Sequence, residues 1–225
     1  MTVRQDLPSW DSDEFVAAWI GQDVLADMLA LPRRLTAALV ADAEVDVSHV
    51  IDLGSGPGGY LAALLESFPG ARGTWIDTSR TMEATARERL AAFGQRVEYR
   101  LGDIEALGAL ELSPAQVVVT SRVVHHFSRE SIERFYRSAC AIVEPGGWFF
   151  NLDHFASPDG WEPRYRRIRP RFTGKPKGDT PRHRHDHPFQ RIRDHLDWIG
   201  QAGFEAPDVP WRTFYTALLA ARRPA

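Results

Sequence analysis

The stretch VIDLGSGPGGY, residues Val50 to Tyr60, limits the possible folds of this chain more than any other. A short apolar run ends in a glycine-dense turn. Leu61, Leu64, Leu65 and Phe68 then recur at helical spacing. A strand that runs straight into a helix meets its next strand through a crossover, which makes the pair parallel. The spacing predicts a buried strand over 48–54. It predicts a helix from about Pro57, since proline is tolerated at the first helical position.

The same unit recurs downstream. Strands are predicted at 73–77, 96–103, 115–121 and 147–154. The helices between them are striped by Met82, Ala86, Leu90 and Phe93, and by Ile132, Phe135, Tyr136, Ala139 and Val143. Alternation of Val97, Tyr99 and Leu101 suits a strand nearer an edge, whereas AQVVVTS suits the middle of a sheet. The class implied is α/β with right-handed crossovers. Before the first strand, residues 12–40 read as helical, with Pro32 interrupting the pattern. After residue 154 a basic, proline-rich stretch runs to about 188. A helix closed by Gly203 follows, and then a terminal hairpin containing Pro210.

Too few residues follow the proline-rich stretch to build a second core, so a single domain is expected over 1–225. Its parts are a helical cap (1–44), a cofactor-binding core (45–154), a basic insertion or lid (155–190), and a last helix with hairpin (191–225).

Composition excludes several classes. The chain of 225 residues is 44% hydrophobic and 25% charged, with a formal net charge of −3. Such a balance gives no general argument for nucleic acid or membrane binding. No apolar run approaches the ~18 residues of a membrane helix, and the first residues show no apolar leader. Cys140 is the only cysteine, so no internal disulfide can form and a cytoplasmic setting is expected. Its mid-helix position suits an inert buried thiol. The charge is uneven, however. Pro158 to Arg193 carries 11 Lys and Arg against 4 Asp and Glu.

The glycine loop fits two chemistries. Gly54, Gly56 and Gly59 fit G-x-G-x-x-G, the pattern that seats a dinucleotide pyrophosphate. Gly54, Gly56 and Gly58 fit D-x-G-x-G-x-G, with Asp52 ahead of them. In open parallel sheets ligands sit beyond the carboxyl ends of the strands. Those ends deliver Asp52 and the loop with Ser55; Asp77 and Thr78; Asp103 and Ile104; Ser121, Arg122, His125 and His126; and Asp153 and His154. Asp77 is placed to accept hydrogen bonds from both hydroxyls of an adenosine ribose.

Taken in order, VIDLGSGPGG, WIDTS, LGDIEAL, VVVTSRVVHHF and VEPGG resemble the motifs of the class I S-adenosylmethionine-dependent methyltransferases, over roughly residues 45–222. The resemblance implies a Rossmann-like sheet of seven strands in the order 3-2-1-4-5-7-6, strand seven antiparallel. It also implies roles. Gly54 and Gly56 let the backbone approach the methionine part of S-adenosylmethionine, and Asp52 positions its ammonium. Asp77 holds the ribose, Asp103 and Ile104 the adenine, and Ser121 lies beside the methionine tail or the sulfonium. Asp52 itself argues against a pyrophosphate, which wants positive partial charge at that helix start.

The acceptor is less legible. No D/N-P-P-Y/F follows strand four, which disfavours the usual exocyclic-amine DNA methylases, and Cys140 is poorly placed for cytosine C5 chemistry. VVHHF is similar to the branch that methylates an O, N or C centre of small molecules. His125, His126 and His154 are the candidate bases. Asp153 is a candidate to orient one of them or to bind substrate, and Arg122 to bind substrate. Trp19 is a candidate to close over the cofactor. The segment 161–189 is read as a lid whose arginines, Arg164 among them, recognise a carboxylate or phosphate on the substrate. It also reads as a solvated loop, or as an RNA-binding strip for tRNA methylation in which Trp161, Tyr165 and Phe172 stack on bases. No metal is expected at HRHDH (183–187), because histidines two apart share a face only when extended and no acids cluster with them. A dinucleotide oxidoreductase and a non-catalytic cofactor-binding protein are the rival classes.

Overall fold

The computed structural model describes Val16 and residues 26–172 and 185–225. Helix α1 (Ala26–Asp42) precedes the repeating unit β1 (His49–Leu53), α2 (Gly59–Ser67), β2 (Arg72–Asp77), α3 (Arg80–Arg89) and β3 (Val97–Leu101). Then come β4 (Ala115–Ser121), α4 (Arg129–Ile142), β5 (Val143–His154), the short α5 (Glu162–Ile168), α6 (Ile192–Gln201), β6 (Glu205–Thr213) and β7 (Thr216–Arg222). The seven strands form one sheet in the order β3-β2-β1-β4-β5-β7-β6. The first five run parallel, while β7 pairs antiparallel with both β5 and β6. This is the expected order. Pro210 lies in β6, an edge strand, where a missing N–H is tolerated.

The apolar strand runs have a direct cause, which is that both faces of the sheet are covered. Val50, Trp75, Val117, Val119 and Phe150 face one core with Leu61, Leu64 and Met82 of α2 and α3. Ile51, Ile76, Val118 and Phe149 face the other with Phe135, Tyr136 and Ile199 of α4 and α6. Helix α1 packs on α2 through Leu29 and Val40. The Tyr60 hydroxyl donates to Thr36 Oγ1 at 2.5 Å, and that hydroxyl donates to the Pro32 carbonyl. Among the described residues no helix is long and apolar enough to cross a membrane.

Three boundaries differ from expectation. Helix α1 runs through Pro32 instead of breaking there, with the proline buried in the packed face. Helix α2 begins at Gly59 rather than Pro57, because Gly58 takes a left-handed φ of 77° and so cannot continue a helix. Strand β5 begins at Val143, four residues early, since VEPGG extends the strand past its turn-like composition. The expected helix over 12–25, with Phe15, Trp19, Ile20, Val24 and Leu25, lies outside the described residues except for Val16, which is helical and buried.

A buried polar chain ties α6 to the sheet. Asn151 Nδ2 donates to the Tyr136 hydroxyl at 3.0 Å, and that hydroxyl donates to His195 Nδ1 at 2.6 Å. Burial lowers the His195 pKa to about 4. The imidazole is therefore held neutral in the folded chain, whereas it binds a proton below pH ~6.5 when unfolded. Between about pH 4 and 6.5 the unfolded chain holds more protons, so stability from this group is complete above pH ~6.5 and is lost as pH falls toward 4. Asp52, whose pKa is raised to about 6 by burial, contributes an opposite slope over part of this range. The comparison is therefore made between variants. Urea midpoints measured from pH 4 to 7 should rise with pH more steeply in wild type than in His195→Asn, by a free energy on the order of 3 kcal/mol across the window. Equal slopes would show that His195 is not held neutral by the fold.

Candidate active site

The loop between β1 and α2 is shaped by three glycines with left-handed φ: Gly54 at 67°, Gly56 at 54° and Gly58 at 77°. These are the alternate glycines of D-x-G-x-G-x-G. Gly59 has no such demand on its backbone and simply opens α2, where a Cβ would meet the side-chain ends of Arg33 and Arg89. Gly54 has a second constraint, because a Cβ there would lie 2.5 Å from Val123 Cγ2. Neighbouring strands pin the loop. Ser55 N donates to the Ile76 carbonyl, and the Trp75 indole N–H donates to the Gly56 carbonyl at 2.8 Å.

Two acids support this loop. Asp52 is fully buried; its Oδ2 accepts from Ser55 Oγ at 2.6 Å and from Leu61 N at 3.2 Å. Burial pushes its pKa up to about 6, with the Ser55 hydrogen bond pulling the other way. Asp77 accepts from Gly56 N through Oδ2 and from Ser79 N through Oδ1, each at 2.9 Å. Burial raises its pKa, and the Ser79 and Gly56 N–H groups oppose that rise. Asp103 is exposed and accepts from Glu105 N at 2.8 Å, which turns the chain so that Ile104 is buried.

These strand ends enclose a cleft with a cavity volume of about 220 Å³. Asp52, Gly54, Ser55, Gly56, Asp77, Thr78, Asp103, Ile104 and Ser121 all line it, as do Arg122 and His126. Arg122 takes a left-handed φ of 59°, strained for a residue with a side chain. The sequence reading missed Arg33, Met82, Arg89, Val123 and Phe127, which line the same cleft. The two arginines come from α1 and α3, and no local pattern marks them. Val123 was legible only as part of an apolar run.

Beside the cleft lies a cluster of imidazoles. The His125 and His126 rings are 4.0 Å apart, and His125 is 5.1 Å from His154. Asp153, almost fully buried, accepts from His125 N at 3.1 Å, from His154 N at 2.8 Å and from His125 Nδ1–H at 2.5 Å. Burial would raise the pKa of Asp153, but the adjacent His125 outweighs it and the net direction is down. A carboxylate only accepts, so the proton of neutral His125 sits on Nδ1. His154 bonds Thr216 Oγ1 through Nδ1, and burial, then His125, holds it well below the ordinary histidine range.

His185 from HRHDH also joins the cluster, its ring stacked on His126 at 4.9 Å. Arg164 sits on exposed α5 with its guanidinium 5.3 Å from the Trp161 ring, away from the cleft. Arg169, not singled out by sequence, bonds the Tyr215 hydroxyl instead. Trp19 and residues 173–184 lie outside the described residues.

Comparison with known proteins agrees with this geometry. Residues 50–147 match the family model described as a methyltransferase domain. A trans-aconitate 2-methyltransferase of Paracidovorax citrulli is 52% identical over 59 residues, which cover 26% of this chain and 21% of that protein. An aclacinomycin 10-hydroxylase of Streptomyces purpurascens is 34% identical over 107 residues, covering 48% and 28%. The structure of human N-acetylserotonin methyltransferase with S-adenosylmethionine superposes with a TM-score of 0.69 at 16% identity, covering 96% of this chain and 58% of that one. The chain thus matches less than a third of the length of these two curated relatives. Residues 50–147 thus match a methyltransferase domain, and the sheet that carries them shares the fold of the human N-acetylserotonin methyltransferase structure.

The loop geometry separates two glycine substitutions. At Gly54 a methyl combines left-handed strain with a collision against a stiff, β-branched side chain. At Gly56 it adds strain but meets only Met82 Sδ at 3.8 Å. Gly54→Ala should therefore destabilise by about 2–4 kcal/mol and Gly56→Ala by about 1–2 kcal/mol in urea unfolding. The reverse order would mean that Val123 does not close over the loop.

Proposed function

We propose that this chain transfers the methyl group of S-adenosylmethionine to a hydroxyl oxygen of a small, anionic acceptor, with His125 as the base and Asp153 orienting it. The observation that carries this reading is the buried pair of His125 Nδ1–H and Asp153 Oδ1 at 2.5 Å, one residue from the cleft wall at His126. Methyl transfer from a sulfonium is an in-line displacement on an activated donor, so positioning and exclusion of water account for much of the rate. A hydroxyl acceptor must also lose a proton, and an imidazole whose Nδ1–H is held by a carboxylate offers Nε2 to receive it. Arg122 and Arg169 both act on His154 through their charge, which gives the acceptor side a positive field suited to a carboxylate or phosphate.

The cleft fits this cofactor. Asp52 Oδ1 and Ser121 Oγ are buried without a hydrogen-bond partner among the described residues, and both residues line the cleft. An ammonium supplies donors to both and compensates the desolvated carboxylate of Asp52. A pyrophosphate would leave that carboxylate facing like charge. Asp77 takes the N–H groups of Gly56, Ser79 and Thr78 on its two oxygens, which leaves a lone pair for a ribose hydroxyl. Ile104 offers an apolar edge to adenine, with Asp103 beside it for the amino group. Arg33 is placed for the methionine carboxylate. A buried, unpaired Cys140 suits a cytoplasmic enzyme.

Calorimetry with S-adenosylhomocysteine and with NADPH tests the cofactor, and binding of NADPH alone would overturn the reading. Asp77→Asn should weaken S-adenosylhomocysteine by roughly 10- to 150-fold, since a charge-assisted hydrogen bond contributes about 1.5–3 kcal/mol. For the reaction, incubation with S-adenosylmethionine and panels of hydroxylated acids and phenols should give products heavier by one methylene. A product gaining oxygen, as the aclacinomycin 10-hydroxylase relative would lead one to check, would instead assign an oxidation. His125→Asn should lower kcat by about 10²- to 10⁴-fold while leaving S-adenosylhomocysteine affinity within error. Unchanged kcat would remove His125 as the base. If tRNA were methylated and small acceptors were not, the basic segment would become the substrate site.

A further inference from the structure

Three histidines from two distant stretches meet beside the cleft. His125 and His126 follow β4, and His185 belongs to the basic segment between α5 and α6. One ring nitrogen of each lies within 4.8 Å of the others. The His126 and His185 rings stack nearly parallel, 10° apart in plane, and His185 lies 5.3 Å from the His125 ring. Behind His125, buried Asp153 accepts the Nδ1–H, which assigns the imidazole lone pair to Nε2. A carboxylate behind a histidine in this way fixes the tautomer and raises the basicity of the other nitrogen, as it does for metal-bound imidazoles.

We propose that His125, His126 and His185 bind a divalent transition-metal ion, zinc before others, with Asp153 supporting His125. Three imidazoles without an oxygen ligand favour zinc, copper or nickel over magnesium or calcium. Bonds of about 2.0–2.1 Å to a tetrahedral ion require ligand nitrogens roughly 3.4 Å apart. The cluster must therefore tighten by about 1 Å, a shift that exposed His185 can supply while buried His125 stays fixed. Three protein ligands leave one position open. His126 lines the cleft, so that position lies beside the space assigned to the cofactor. An acceptor hydroxyl bound there would have its pKa lowered by the charge of the ion and would release its proton to water at the cleft mouth, and His125 would act as a ligand in place of a base. The metal site goes beyond the methyl-transfer reading and replaces only the role of His125 as base in it; its test reads binding, so its failure and the failure of methyl transfer are distinguishable.

The test uses the full chain without an affinity tag, dialysed against a chelator and titrated with Co²⁺ and then Zn²⁺, with calorimetry and visible absorption as readouts. The expected result is one ion per chain, intense visible bands of four-coordinate cobalt, and displacement by Zn²⁺ but not by Mg²⁺. His185→Ala, an exposed change that leaves the core intact by circular dichroism, should abolish the bands and weaken binding by at least about tenfold. Asp153→Asn should weaken it by about 10- to 100-fold. Cobalt binding unchanged in His185→Ala, a spectrum typical of six-coordinate cobalt, or equal competition by Mg²⁺ would overturn the proposal.

Discussion

The hydrogen bond from the Trp75 indole to the Gly56 carbonyl holds the centre of this molecule. It joins β2 to the loop that follows β1, and it does so beneath the cleft. Asp77, two residues further along β2, takes the Gly56 N–H. Gly56 is thus gripped at both its N–H and its carbonyl, and the loop can hold three left-handed residues in five without fraying. Asp52 anchors the start of α2 through Leu61 N and the turn through Ser55. A carboxylate suits that helix N-terminus, where the N–H groups carry partial positive charge. The acids at the strand ends are therefore structural before any ligand arrives. The same groups retain lone pairs toward the cleft, so one carboxylate can both set the loop and read a cofactor.

The second half of the site depends on β5. Its last residues bring Asp153 beneath His125 and place His154 against Thr216 of the antiparallel β7. Closing the sheet with β7 between β5 and β6 buries Asp153, and a buried carboxylate needs partners. It finds them in two backbone N–H groups and one imidazole. That requirement also explains the strained region around Arg122. The chain must turn sharply after β4 for both His125 donors to reach one carboxylate, and the left-handed φ of Arg122 marks the turn.

Much of the fold was legible because both faces of the sheet are covered, which leaves apolar runs punctuated by glycine and proline. The strand order was implied by the family resemblance that the motifs carry, and all nine residues named for the cofactor line one cleft. Misreadings arose where tertiary packing overrode local signals. Pro32 remains helical with its side chain buried, and VEPGG is drawn into β5 because Val143 pairs with Ala115 of β4 and Arg223, just after β7, bonds Gly146 and Gly147. HRHDH gave no sign of its neighbours His125 and His126, because these lie about 60 residues away in sequence. Arg33, Arg89 and Val123 had no periodicity that could have marked them as cleft residues.

By itself, the sequence determined the parallel α/β core and the acids at the strand ends, since periodicity and turn chemistry act over a few residues, while the strand order came only from the family resemblance. Only the tertiary structure decided that Val123 closes over Gly54, that Asp153 pairs with His125, and that His185 joins His125 and His126. Those contacts span 28 to 69 residues of chain, and they arise from close packing and from the need of buried polar groups such as Asp153 for partners in three dimensions.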